Sequence, residues 1–397
     1  MSLAGSQAQT FLRLVEHLRG RWRTDPALPR QIQTLVTSQR AFGSRDRRLY
    51  RELIYTTLRY LPWVEPLLEA DTDAAVRLVA TVAADTPATR AFRAEYASEA
   101  PPPGDKAALL PAWFREHCPE IFAGDELETQ LRRAPLWLRL QTDLGGRAAV
   151  LAEFEARGWR WQASEILPEA IQMLDEVDVT QTDAWQSGRI EVQDLGSQLV
   201  LETIGIHHGE RWLDACAGAG GKSLQLARLL GPEGLVDAYD IRAAALEELA
   251  WRARRADIRT IRIAHEPPSG AYAGVLVDAP CSGSGTWRRS PHLKWTTTPA
   301  LVAGRAALQL RLLTQFSKCV KPGGNLVYAT CSLSHRENED VVTAFLQQHA
   351  EFEPAPFLRT FGLPQRGAGL LILPSRYDTD GFFVAALRRS GPGASLS

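Results

Sequence analysis

Two cysteines in this chain stand where a thiol can do chemistry. Cys281 lies in Asp278-Ala279-Pro280-Cys281-Ser282-Gly283-Ser284-Gly285, directly after the apolar run Gly274-Val275-Leu276-Val277. Cys331 ends a second apolar run, Asn325-Leu326-Val327-Tyr328-Ala329-Thr330, fifty residues further on. Short continuous apolar runs read as buried strands, and open α/β sheets bind ligands outside the carboxyl ends of their strands. Taken singly, either thiol reads as a small buried hydrophobe, as does Cys319 near the end of an expected helix. Two thiols and the carboxylate of Asp278 at two strand ends of one sheet point instead to covalent chemistry through sulfur.

A second loop, Asp214-Ala215-Cys216-Ala217-Gly218-Ala219-Gly220-Gly221-Lys222-Ser223, closes an expected strand at 211–215. Its glycines permit a tight turn and a close approach of a ligand to the backbone. A Walker loop needs glycine five places before Gly221, where the chain has Cys216; the nicotinamide template G-x-G-x-x-G fails at Ser223. Adenosylmethionine requires neither phosphate cradle. It needs a glycine turn for its amino-acid end and an acid for its ribose, and Asp240, at the end of the next strand, is placed to accept the ribose hydroxyls. A lone aspartate there would serve equally well as a helix N-cap.

The elements that position these loops alternate strand and helix, which means a mostly parallel sheet. Strands are expected at 211–215, 235–240, 260–263, 274–278 and 325–330. A final pair at 370–373 and 382–387 is joined by too short a connection for a crossover, so it is antiparallel. The expected fold class is therefore α/β with a seven-stranded sheet over residues 190–389, and five parallel strands closed by an antiparallel pair resemble the pattern of a Rossmann-like class I methyltransferase domain. Ahead of it, 134–189 reads as a small α+β, RRM-like module of order β-α-β-β, and 1–133 reads as helices; 390–397 reads as a flexible tail. Ser44 is a plausible N-cap for a helix with Leu49, Leu53, Ile54, Leu58 and Leu61 on one face. Its other face carries Arg45, Arg47, Arg48 and Arg51. Residues 1–60 hold eleven arginines against four acids, in a chain whose formal net charge is −1. Any one of these arginines fits a solvated helix face, but the local excess favours a surface for RNA phosphates. Three prolines, 101–103, mark a loop inside the helical region.

Composition narrows the classes further. Five cysteines with no C-x-x-C pair favour a reducing compartment and argue against a zinc site. Neither a signal pattern nor a run of 18 apolar residues occurs, so a cytoplasmic protein without membrane spans or metal, and a monomer, is expected.

Asp278-Ala279-Pro280-Cys281-Ser282-Gly283 and Thr330-Cys331-Ser332 resemble the paired cysteine motifs of the Sun/RsmB-type RNA (cytosine-5)-methyltransferases. Pro135-Leu136-Trp137-Leu138-Arg139, Val192-Gln193-Asp194-Leu195-Gly196-Ser197-Gln198-Leu199, Pro291-His292-Leu293-Lys294-Trp295, Glu337-Asn338-Glu339 and Asp380-Gly381-Phe382-Phe383 also look like signatures of that family, across residues 135–389. The basic helical region more loosely resembles the family's NusB-like RNA-binding domain.

The resemblance implies S-adenosyl-L-methionine as cofactor and an RNA cytosine, unpaired or flipped out, as substrate, with ribosomal RNA favoured. It makes Cys331 the nucleophile that adds to carbon 6 and Cys281 the thiol that assists product release. Asp278 would hold the N3/N4 edge of the base, and Lys222 would bring its charge towards the same site. Ala215, Cys216, Ala217, Gly218, Ala219, Gly220, Gly221, Lys222, Asp240 and Asp278 would line the cofactor. After the third strand the family usually has an acid near the adenine; here His265 or Glu266 stands in that place. Arg288, Arg289 and Lys294 read as phosphate contacts, although His292 replaces the family's usual acid in that motif. Ser334-His335-Arg336-Glu337 fits a capping box whose helix would orient the Cys331 loop and favour its thiolate. The competing readings are the same chemistry on transfer RNA, methylation of an exocyclic amine, and a non-catalytic RNA-binding or assembly factor that kept the fold.

Overall fold

The computed structural model describes residues 3–99, 102, 104–141 and 144–391. Pro101 and Pro103 of the expected loop, and 392–397 of the expected tail, lie outside the described residues. The chain forms two units: Met1–Arg133 with Thr286–Pro299, and Ala134–Gly285 with Ala300–Ser397.

The first unit is helical. Helices Leu3–Arg19, Leu28–Ser38, Ser44–Arg59, Leu61–Ala70, Thr72–Val82 and Arg90–Tyr96 surround a core that includes Phe11, Leu14, Trp22, Ile32, Leu53 and Leu58. Leu49, Leu53, Ile54, Leu58 and Leu61 are all buried, as their spacing requires, but Leu61 opens the next helix. Gly43 rather than Ser44 is the N-cap of Ser44–Arg59, with the Asp46 carboxylate accepting its N–H at 3.2 Å. Arg45 and Arg48 are exposed and Arg47 is half-buried.

The segment Thr286–Pro299 was expected inside the methyltransferase domain, yet it belongs with this helical unit. The reason is local. A helix leaves its last carbonyls without intrahelical partners, and this segment supplies donors. The buried Lys294 ammonium donates to Arg59 O at 2.8 Å and to Leu109 O at 3.2 Å, and the Trp295 indole N–H donates to Leu58 O at 2.6 Å. Arg59 in turn donates to Arg288 O at 3.2 Å, and Arg288 to Arg133 O at 3.3 Å. Trp287 is fully buried beside Phe114, ring centroids 4.6 Å apart.

In the second unit, β1 (Leu136–Leu140), β2 (Trp161–Ala163), β3 (Ala170–Met173) and β4 (Ile190–Val192) form an antiparallel sheet in the order β2-β3-β1-β4. Residues 190–192 therefore complete the small module instead of opening the next domain.

The large sheet holds β5 (Arg211–Asp214), β6 (Leu235–Tyr239), β7 (Ile261–Ala264), β8 (Tyr272–Asp278), β9 (Val320–Thr330), β10 (Phe352–Pro354), β11 (Gln365–Arg366), β12 (Gly369–Ile372) and β13 (Phe382–Arg389). Its order is β11-β12-β13-β9-β8-β5-β6-β7, with β10 also on β13. The neighbours from β7 to β9 pair in parallel, and β12, β13 and β9 pair antiparallel. The seven expected strands are present; β10 and β11, three and two residues long, raise the number to nine. Val275, Leu276 and Val277 of β8 and Leu326 to Ala329 of β9 are fully buried, which explains their unbroken apolar runs. Strand order reverses between β5 and β8, and both chemistry-bearing loops leave the sheet there, at its carboxyl edge.

Candidate active site

The glycine loop follows β5. Gly218 (φ 54°) and Gly220 (φ 88°) adopt left-handed backbone, and a Cβ on Gly220 would lie 2.5 Å from Leu249 Cγ. A side chain is thus disfavoured by conformation at both positions and excluded by space at Gly220. Gly220 caps the helix Gly221–Leu230. Asp240, just past β6, accepts the Gly218 N–H at 2.8 Å and is bracketed by Arg242, whose Nε and Nη2 lie 3.0 Å from its two oxygens. Burial pushes the Asp240 carboxyl up, but these hydrogen bonds outweigh it and hold it below the usual carboxylate range. Asp214, fully buried, accepts from Ser223 Oγ at 2.7 Å. Burial raises its carboxyl to about 7. His265 is exposed in the turn after β7.

Lys222 and Asp278 meet. The lysine is buried in the first turn of its helix, and its Nζ lies 2.9 Å from Asp278 Oδ2 at the end of β8. Asp278 keeps a 30% exposed side chain, open to a ligand. Cys281 and Cys331 meet as well: their sulfurs are 3.3 Å apart, and both residues are half-buried. Parallel pairing explains why. Asp278 is in register with Ala329, so the two loops leave adjacent strand ends together. Gly285 N–H then donates to Cys331 O at 2.9 Å, and Gly381 N–H to Gly285 O at 2.8 Å. The hydrogen bond to Cys331, with burial, pushes the Cys281 thiol up. Burial raises Cys216 also.

The expected capping box at Ser334–Glu337 is absent. Ser334 N–H donates to Ser332 Oγ at 3.1 Å, and Glu337 turns to the Cys281 loop instead. Only a three-residue 3-10 turn, His335–Glu337, follows Cys331, and the α-helix begins at Glu339. The helix-terminus argument for a Cys331 thiolate therefore loses its basis, because that effect falls off within one turn. Glu337, fully buried, accepts Ser282 N–H at 2.8 Å, Ser332 Oγ–H at 2.6 Å, Gln309 Nε2–H at 3.1 Å and the Ser282 hydroxyl.

A family model for the 16S rRNA methyltransferase RsmB/F matches residues 201–388. Ribosomal RNA small subunit methyltransferase B of Erwinia tasmaniensis is 31% identical over 294 residues, covering 72% of this chain and 67% of the relative. This chain belongs to the RsmB family. The probable ribosomal RNA small subunit methyltransferase B of Bacillus subtilis is 34% identical over 270 residues, 64% of this chain and 60% of that protein's length. The crystal structure of a methyltransferase homologue from Pyrococcus horikoshii, 25% identical, superposes with a TM-score of 0.60 over 70% of this chain and 93% of its own. The fold is accordingly that of a methyltransferase, for which S-adenosylmethionine is the expected cofactor. The loop fits that cofactor: its glycines leave bare backbone beside the buried carboxylate of Asp240.

Two of the expected phosphate contacts need correction. Arg288 and Lys294 are 1% exposed and hydrogen-bond to backbone carbonyls of the helical unit, so neither side chain is free for a phosphate. Arg289 is exposed. His292 is buried there too, and burial lowers its imidazole to about 4. The residue whose partners the capping-box reading mistook is Glu337. Its signal was the Glu337-Asn338-Glu339 motif itself, which carried no assigned role.

Proposed function

We propose that this RsmB-family protein methylates carbon 5 of a cytosine in ribosomal RNA through a covalent bond to Cys331. The observation that carries the reading is the 3.3 Å contact of Cys281 and Cys331 sulfurs, beside the Lys222–Asp278 pair. Two thiols in contact suit a reaction in which one sulfur bonds to the substrate and the other acts on the adduct. The printed names of the relatives favour ribosomal over transfer RNA.

Carbon 5 of cytosine is a weak nucleophile. The Cys331 thiolate adds to carbon 6, and the electron pair of the 5,6 double bond moves onto carbon 5. Asp278, held by Lys222, accepts from the exocyclic amine and fixes the N3/N4 edge as charge develops on the ring. S-adenosylmethionine, when bound, supplies an electrophilic methyl group to carbon 5. Water takes the proton on carbon 5, the electron pair of that C–H bond restores the double bond, and the Cys331 thiolate departs from carbon 6. Cys281, which keeps its proton beside Cys331, assists that departure.

The loop Ala215 to Lys222 would hold the amino-acid end of the cofactor and Asp240 its ribose, with His265 or Glu266 near the adenine. Arg242, whose side chain is 68% exposed, must release Asp240 for that contact. Because carbon 6 is inaccessible in a duplex, the target cytosine is single-stranded or flipped out. Arg45, Arg47, Arg48 and Arg289 are the candidate phosphate contacts, and their removal should flatten the salt dependence of RNA binding.

The test incubates the protein with labelled S-adenosylmethionine and ribosomal RNA and maps 5-methylcytosine. Loss of label transfer in Cys331→Ala supports the assignment; full turnover by that variant refutes it.

A further inference from the structure

We propose that Glu337 is a positioning residue for the thiol pair: its buried carboxylate ties the Cys281 loop to the Cys331 loop and holds the two sulfurs in contact. This deepens the proposed function and rests on it for the catalytic consequence, though the geometric claim stands separately.

Four donors converge on the carboxylate. Ser282, next to Cys281, gives its N–H at 2.8 Å and its hydroxyl. Ser332, next to Cys331, gives its hydroxyl at 2.6 Å. Gln309 gives Nε2–H at 3.1 Å and reaches Pro280 O, also at 3.1 Å, so it braces the same loop from the helix Pro299–Ser317. All four are donors, matched to an ionised carboxylate that only accepts. Each cysteine is thus one residue from a group bound to the same carboxylate.

The rest of the loop is pinned around this centre. The Tyr328 hydroxyl donates to Glu337 O from within β9. Asn338 holds both flanks of Cys331, accepting Thr330 Oγ1–H at 2.6 Å and donating to Ser332 O at 2.9 Å. Ser284 Oγ and Ser332 Oγ lie 3.0 Å apart, and Leu333 N–H donates to Ser284 Oγ at 2.9 Å. Glutamine at 337 would keep the size of the side chain but direct an amino group at hydroxyls that already donate. A buried network satisfied at every member rigidifies its surroundings, and one mismatch in it is costly. The charge also acts on Cys281, adding to the hydrogen bond to Cys331 and the burial that keep this thiol protonated.

Diamide measures the contact without requiring activity. It takes the hydrogens of both thiols onto its nitrogen–nitrogen double bond and leaves a Cys281–Cys331 disulfide, which peptide mass spectrometry quantifies. The unsubstituted protein should form this disulfide readily. Glu337→Gln should slow it at least tenfold and lower kcat by a similar factor, with KM for S-adenosylmethionine changed less than threefold. Ser332→Ala, which removes one of the four donors, should slow it about threefold and serves alone if Glu337→Gln does not fold. Wild-type disulfide rates in both variants would overturn the proposal, as would a KM that rises by the factor by which kcat falls. A protein that forms the disulfide as described yet makes no 5-methylcytosine would refute the function and leave the clamp standing.

Discussion

Lys222 and Lys294 make an instructive pair. Both are buried, and both ammonium groups sit over an aromatic ring, Phe382 at 5.1 Å and Trp295 at 5.3 Å. Their partners differ. Lys222 faces the carboxylate of Asp278, which remains partly open to solvent. Lys294 faces the carbonyls of Arg59 and Leu109, with no carboxylate among the partners of its Nζ in the described residues. The first pair places charge at a strand end where a ligand can reach it. The second closes a helix terminus, and burial beside Arg59 lowers its amine well below the usual lysine range. A lysine in a family motif is thus no guide to chemistry until its partner is known.

That contrast can be broken by substitution. Lys222→Met should cut kcat by about a hundred- to a thousandfold, the usual cost of losing a group that orients charge stabilisation, while the melting temperature stays near wild type. A melting temperature that drops with activity would make Lys222 structural as well. On the helical side the first test is pH. The His292 imidazole is lowered to about 4 by burial, so between that value and an ordinary 6.5 the unfolded chain binds more protons than the folded one. Its contribution is fully present above about 6.5 and is lost as pH falls towards 4, amounting to about 2 kcal/mol. Denaturant titrations at pH 7 and pH 4.5 should show this loss in the native protein and a smaller one in His292→Gln.

Lys294→Met should cost about 2 kcal/mol of stability, since it leaves two carbonyls unpaired, with kcat on a per-folded-molecule basis unchanged. If kcat fell as far as in Lys222→Met, the contrast between the two lysines would fail. Arg242→Ala should have the smallest effect. Freeing Asp240 of its exposed partner should shift KM for S-adenosylmethionine by about fivefold or less, since such pairs contribute about 1 kcal/mol or less; a large rise would mean that Arg242 binds the cofactor itself.

The sequence was most legible where both faces of an element are buried. β8 and β9 are continuous apolar runs, and the loops carrying Cys281 and Cys331 were found because those runs end there. β10 and β11 escaped notice because two or three residues carry no periodicity. Lys294 and Arg288 were misread because a long cationic side chain looks the same in sequence whether it meets a phosphate or a carbonyl. Glu337 was misread for a related reason. Ser334-His335-Arg336-Glu337 satisfies a local capping pattern, but four donors, three of them from Ser282 and Gln309, far away in sequence, hold the carboxylate elsewhere. Local rules see one turn of chain; this contact depends on two strand ends brought together by parallel pairing.

The central claim is the division of labour between the two sulfurs. Cys281→Ala, incubated with S-adenosylmethionine and ribosomal RNA, should accumulate a covalent protein–RNA adduct that survives denaturing electrophoresis and maps by mass spectrometry to Cys331. The same incubation with Cys331→Ala should give neither adduct nor 5-methylcytosine. An adduct trapped in Cys331→Ala and absent from Cys281→Ala would contradict the account and reverse the two roles.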